Sequence, residues 1–132
     1  MKKISIFSVL ALTLYAISCT KDKDKTDADR LQGKWYMTES HGFLYFNGNT
    51  VPINDTYYVG EFTLEFKGNL LIADGRLGRD SVTYKIIDGP KIVASGDTSD
   101  IKGLNDSTFS LSYIDRSIPG NVLEKTDSYK KY

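Results

Sequence analysis

Cys19 is the only cysteine of the 132-residue chain and His41 its only histidine, so nucleophilic, redox and metal chemistry rest on very few side chains. A lone thiol makes no intrachain disulfide, no redox pair and no cysteine zinc site. A Ser-His-Asp set would have to use His41, which sits in Ser40-His41-Gly42, and the chain has no nucleophile elbow and no phosphate loop. Asp22-x-Asp24 starts like a calcium loop but lacks the Gly at position 6 and the Glu at position 12, and Asp97 and Asp100 stand at turns without further ligands. The expectation is a protein that is not an enzyme and that holds no metal and no cofactor.

What Cys19 can do follows from what precedes it. Lys2-Lys3 leads a largely apolar run from Ile4 to Ile17, closed by small Ser18. That is the layout of a secretory signal, since a membrane span needs about 20 apolar residues. Ala16-Ile17-Ser18-Cys19 resembles a bacterial lipobox. The resemblance implies cleavage before Cys19, a diacylglycerol on its thiol, and an acylated (palmitate-type) amino terminus. Buried lipid methylenes contribute about 0.8 kcal/mol each, so several chains anchor a protein durably to a membrane that it does not cross. The expected address is the cell envelope, with the chain lipid-anchored at the outer membrane and facing the periplasm or the surface.

Residues 1–18 are thus read as signal peptide, 19–29 as the lipidated cysteine with a charged tether, and 30–132 as one domain of ordinary size. Thr20 to Asp29 alternates charges and has no large apolar side chain, so it is expected to stay solvated. Charged residues just behind a lipid cysteine resemble the surface-export signal of Bacteroidetes-type lipoproteins. Without Lys2 and Lys3, 15 basic side chains face 17 acidic ones. Such a balance offers no basic stripe for nucleic acid. Membrane contact is expected through lipid alone.

The elements that must position anything else are strands. Tyr58, Phe62, Leu64 and Phe66 alternate with Glu61, Thr63, Glu65 and Lys67, and Val82, Tyr84, Ile86 and Phe109, Leu111, Tyr113 repeat the period of two. Gly68-Asn69, Asp74-Gly75, Asp88-Gly89-Pro90 and Asn105-Asp106 supply turn chemistry between them. Eight strands are predicted, near residues 34–40, 57–67, 70–74, 81–88, 91–95, 98–104, 107–114 and 122–131. Closing eight sequential antiparallel strands into an up-and-down barrel removes two exposed edges. A two-sheet sandwich has a similar strand pattern and stays open as the alternative.

Asp29 to Trp35 reads as a short helical turn entering the first strand, and Gly33-Lys34-Trp35 resembles the Gly-x-Trp signature of lipocalins. Leu104-Asn105-Asp106-Ser107-Thr108-Phe109-Ser110-Leu111 and the ending Tyr129-Lys130-Lys131-Tyr132 are similar to the close of bacterial lipocalin-like domains carried on lipoproteins. The resemblance implies an eight-stranded barrel with Trp35 at its closed base and a basic residue of the last strand, Lys125 or Lys130, over the indole. Thr126-Asp127-Ser128-Tyr129 is similar to a Thr-Asp-x-Tyr motif of the family but lies within the last strand, and it is set aside. The segment His41 to Thr56 carries a hairpin signal at Asn47-Gly48. In lipocalins the corresponding loop half-covers the mouth, which would make Phe43, Tyr45 and Phe46 a lid. The other reading packs them as a cluster over the core.

Inward positions for a ligand would be Met37, Phe62, Leu64, Tyr84, Ile86, Leu111 and Tyr113, with Phe43 and Tyr45 at the entrance. The same residues would equally plug a filled barrel, because a fold does not fix a function. Two functions therefore follow: a lipid-anchored, lipocalin-like binder of a small hydrophobic or amphipathic molecule, and a non-catalytic interaction module (inhibitor, adhesin or accessory subunit) whose protein partner the sequence does not name.

Overall fold

The computed structural model describes residues 24–132; the signal segment and Cys19 lie outside the described residues. One helix, α1 (Asp27–Leu31), precedes nine antiparallel strands. These are β1 (Gly33–Phe46), β2 (Asn49–Thr56), β3 (Thr63–Lys67), β4 (Leu70–Gly75) and β5 (Gly78–Ile87), then β6 (Lys91–Ala94), β7 (Asp97–Lys102), β8 (Thr108–Asp115) and β9 (Asn121–Lys131). Neighbours pair in the order β2-β1-β3-β4-β5-β6-β7-β8-β9, and a further β1–β9 ladder closes the sheet into an eight-stranded barrel. This closure decides against the sandwich. β2 is the ninth strand and pairs only with β1.

Strand β1 serves two neighbours in turn. Gly33–Tyr36 pairs with β3, Glu39–Phe46 pairs with β2, and β9 runs along the other side from Trp35 to Phe46. The register against β9 shifts between Met37 and Glu39, which leaves Thr38 as a bulge. A bulged residue resets the alternation, so Met37 and Ser40 both face inward. The His41–Thr56 segment is therefore a hairpin that continues β1, with the Asn47-Gly48 turn in left-handed backbone (φ 49° and 77°). No loop folds back as a lid at this place.

Two further boundaries differ from the sequence reading. Residues 57–62 do not extend β3, because Gly60 adopts φ 86° and Glu61 bonds back to Tyr58 through both its backbone and its carboxylate, making a turn that leaves Tyr58 exposed. The alternation read through Tyr58 and Gly60 was accidental. The β4–β5 turn falls on Arg76-Leu77, two residues beyond Asp74-Gly75. At the amino end, residues 27–29 belong to α1: Thr26 and Asp29 form a reciprocal cap, with Thr26 Oγ1 accepting from the Asp29 amide at 3.2 Å. The solvated tether therefore stops earlier than Asp29.

The core lies at one end. Leu31, Trp35, Phe66, Tyr84, Ile92, Ile101, Phe109 and Tyr129 pack where α1 crosses the barrel. Trp35 is fully buried, donates its Nε1 hydrogen to Leu31 O at 2.7 Å, and meets Phe109 edge-on at 4.7 Å. The base is further stapled by Gln32, which bonds Gly68 through both its amide atoms and Tyr84 Oη at 3.0 Å. The cation over the indole is Lys131, 4.9 Å from the ring centroid, in place of the expected Lys125 or Lys130. Lys131 is the direct cross-strand partner of Trp35, whereas Lys130 alternates to the outer face and Lys125 sits higher up.

Candidate functional site

Above the base the barrel is open. A cavity of about 470 Å³ has an apolar wall of Met37, Phe62, Leu64, Ala73 and Tyr129 and a charged rim of Asp74, Arg79 and Asp80 from β4 and β5. Phe62 lies across Gly75, where a Cβ would approach the ring to 2.5 Å, and meets Tyr57 edge-on at 5.1 Å. Gly75 thus makes room for the aromatic wall. Beside it, β7 pairs with β8 only from Asp100 to Lys102, and the strands above leave a second opening bordered by Asp97, Ser99, Tyr113, Asp115 and Arg116.

A polar cluster stands on the wall next to Tyr129. The buried Asp127 carboxylate accepts from Ser40 Oγ at 2.5 Å and from Tyr113 Oη at 3.4 Å, and Lys125 Nζ lies 3.2 Å away. Ser40 is itself fully buried and touches Met37 Sδ at 3.6 Å, which joins the cluster to the cavity wall. Alternation along β9 from buried Tyr129 places Asp127 and Lys125 on the same inward row. Burial, and next the Asp127 charge, push the phenols of Tyr113 and Tyr129 above their ordinary value, Tyr129 far above it. For Lys125 burial favours the neutral amine, but the Asp127 carboxylate and Tyr113 more than offset this and hold the ammonium above its usual pKa. The phenols are therefore neutral and the amine charged at ordinary pH.

The expected ligand positions divide by height. Met37, Phe62 and Leu64 border the cavity, and Tyr113 lies beside the second opening. Ile86 and Leu111 are half-buried against the core, while Tyr84 belongs to the plug itself. Phe43 and Tyr45 sit on the outer row of β1, 46% and 37% exposed, with their rings 6.4 Å apart. Phe43 borders a groove shared with His41, Lys91, Lys102 and Glu124, which also reaches Tyr113 and Lys125 of the polar cluster. Sequence reasoning missed Ser40 and Asp127 and gave Lys125 a different place; the one signal that pointed here was Thr126-Asp127-Ser128-Tyr129.

On the outer face of the hairpin, His41 Nδ1 lies 3.0 Å from Asn54 Oδ1 and Nε2 lies 3.3 Å from Glu39 Oε2. Asn54 and then Glu39 raise its pKa, since both accept from the imidazolium. Glu39 and Asn54 hold the two ring nitrogens of His41, and among the described residues no hydroxyl bonds to the ring. Among the described residues, no group of three or more His, Cys, Asp or Glu side chains is placed to hold a metal ion. Comparison with protein-family models, with curated proteins and with solved structures finds no match to this chain.

Proposed function

We propose that this chain is a lipid-anchored, lipocalin-like protein of the bacterial cell envelope whose barrel takes up a small hydrophobic or amphipathic molecule. The observation that carries the reading is the open cavity of about 470 Å³ above a plugged base, within the size range of small-ligand sites. Its wall of Met37, Phe62 and Leu64 suits an apolar body, and the Ser40–Tyr113–Lys125–Asp127 cluster, which adjoins that wall through the Ser40–Met37 contact, suits a polar end. An eight-stranded barrel has room for one such ligand. Residues 24–132 contain every residue of the core among the described residues, so this segment carries the test. Native mass spectrometry and displacement of Nile red are expected to report one molecule bound per barrel. Absence of any uptake from a broad lipid panel would overturn the reading. Lipidation is checked separately by the mass of the amino-terminal peptide from membranes, which a Cys19→Ser change would shift into the soluble fraction.

A second reading, a non-catalytic interaction module, is favoured by the hairpin. From Gly42 to Asn54 there is no charged residue, and Phe43, Phe46 and Val51 are 46%, 47% and 49% exposed. An apolar surface of this kind is where a protein partner would seat.

A further inference from the structure

The inner rows of the upper barrel carry one lysine against four aspartates. Counting by alternation from the buried Tyr84, Ile101, Phe109 and Tyr129, these are Asp80 on β5, Asp97 on β7, Asp115 on β8, and Lys125 with Asp127 on β9. The lysine is already matched, since its Nζ lies 3.2 Å from the carboxylate of Asp127. We propose that the lumen selects an amphiphile with an uncharged head bearing a hydroxyl or carbonyl, such as a fatty alcohol or a monoacylglycerol, and rejects the corresponding fatty-acid anion. The proposal rests on the carrier reading above.

The hydrogen-bond inventory argues for it first. Lys125 has three N–H donors and directs one to Asp127 and one to Tyr113, so one remains for a ligand oxygen. Tyr113 donates its proton to Asp127 and accepts from Lys125, which leaves one lone pair on its oxygen for a ligand hydroxyl. A hydroxyl head is thus met in both senses. Ser40 donates to the same Asp127 oxygen that faces Lys125, Oδ1, and Tyr113 donates to Oδ2, so both carboxylate oxygens are engaged inside the cluster.

Electrostatics argues the same way. A ligand carboxylate would have to share Lys125 with Asp127, setting two anions on one cation in a site where Asp127 is 5% exposed. Like charges in such a place raise each other's cost of ionisation, and a buried ion pair gives nothing back unless its partner is undivided. At the entrance Asp74, Asp80, Asp97 and Asp115 outnumber Arg79 and Arg116, so the rim keeps a net negative sign that slows an approaching anion. An ammonium head would be drawn to that rim, yet inside it would face Lys125.

The test uses residues 24–132 and four probes of equal chain length: oleate, oleyl alcohol, monoolein and oleylamine, each competing against Nile red at pH 8. Oleyl alcohol and monoolein are expected to bind at least about tenfold more tightly than oleate, a factor worth about 1.4 kcal/mol. Asp127→Asn, which frees Lys125 from its counter-ion, is expected to erase or reverse that preference. Should Asp127→Asn fail to fold, Lys125→Met takes its place; it is expected to weaken monoolein several-fold while oleate stays weak. Oleate binding as tightly as monoolein, or oleylamine binding best, would overturn the proposal and leave the carrier reading intact. Failure of all four to bind would overturn that reading and the proposal with it.

Discussion

Trp35 joins three elements through one side chain: its N–H holds α1, its face receives Lys131 from β9, and its edge meets Phe109 from β8. Trp35→Ala is expected to cost about 3–5 kcal/mol, as for large aromatic truncations in cores. Urea unfolding monitored by far-UV circular dichroism measures this, and a loss below about 1 kcal/mol would show that the base is not the core. Tyr113, Tyr129 and Lys125 make a second, pH-dependent prediction. All three hold their proton more firmly in the fold than in the unfolded chain. Their contribution is therefore complete below the unfolded values, about 10 for tyrosine and about 10.4 for lysine, and is lost as pH rises through the higher folded values. The melting temperature is expected to fall steeply above about pH 10, with a tyrosinate absorbance step at unfolding, and Tyr129→Phe is expected to flatten the fall.

At the level of elements, the β1–β2 hairpin and the β1–β9 ladder depend on a close approach at Gly42. A Cβ there would stand 1.9 Å from the carbonyl oxygen of Glu124, a backbone atom that cannot swing aside. Gly42→Ala is expected to destabilise by at least about 1–3 kcal/mol, the range for forced overpacking, and to lower amide protection along β9 above Asp127. Unchanged hydrogen exchange there would contradict the ladder as drawn. This scale also shows what the sequence made legible. The period of two in β5, β8 and β9 and the turns at Gly68-Asn69 and Asn47-Gly48 follow from residue type alone. The bulge at Thr38 does not, because it is set by register against β9, and with it went the inward direction of Ser40. Polar residues on an inner row look like solvent-facing ones until the barrel closes, so Ser40 and Asp127 received no inward place and Lys125 was put over the indole, while Met37, Leu64 and Tyr113 were placed inward. The apolar part of the candidate site was visible for that reason, and its polar part was hidden.

For the molecule as a whole, barrel closure leaves one free edge among the described residues, on β2. The two-residue turn makes Phe46 and Asn49 a hydrogen-bonded pair, so alternation places Pro52 opposite Phe43 in a non-bonded pair, with its nitrogen toward the free edge. A proline there costs β1 nothing and removes a donor that an incoming strand would need. Pro52→Val is expected to give concentration-dependent association in sedimentation velocity, where the parent chain sediments as one species. Equal behaviour of both would mean that the edge is protected by other means. The same closure fixes a direction. α1 hangs at the plugged end, and eight residue steps separate Cys19 from Asp27, a reach of at most ~28 Å. β1 rises ~46 Å over its 14 residues, or ~35 Å of height at a strand tilt of roughly 40°. On the proposed anchor the leash is thus shorter than the cup is tall, and the rim cannot be tipped onto the bilayer that holds it. On the proposed carrier reading, cargo would enter and leave from the far side, which would make the protein a receiver facing outward and not a shovel working its own membrane.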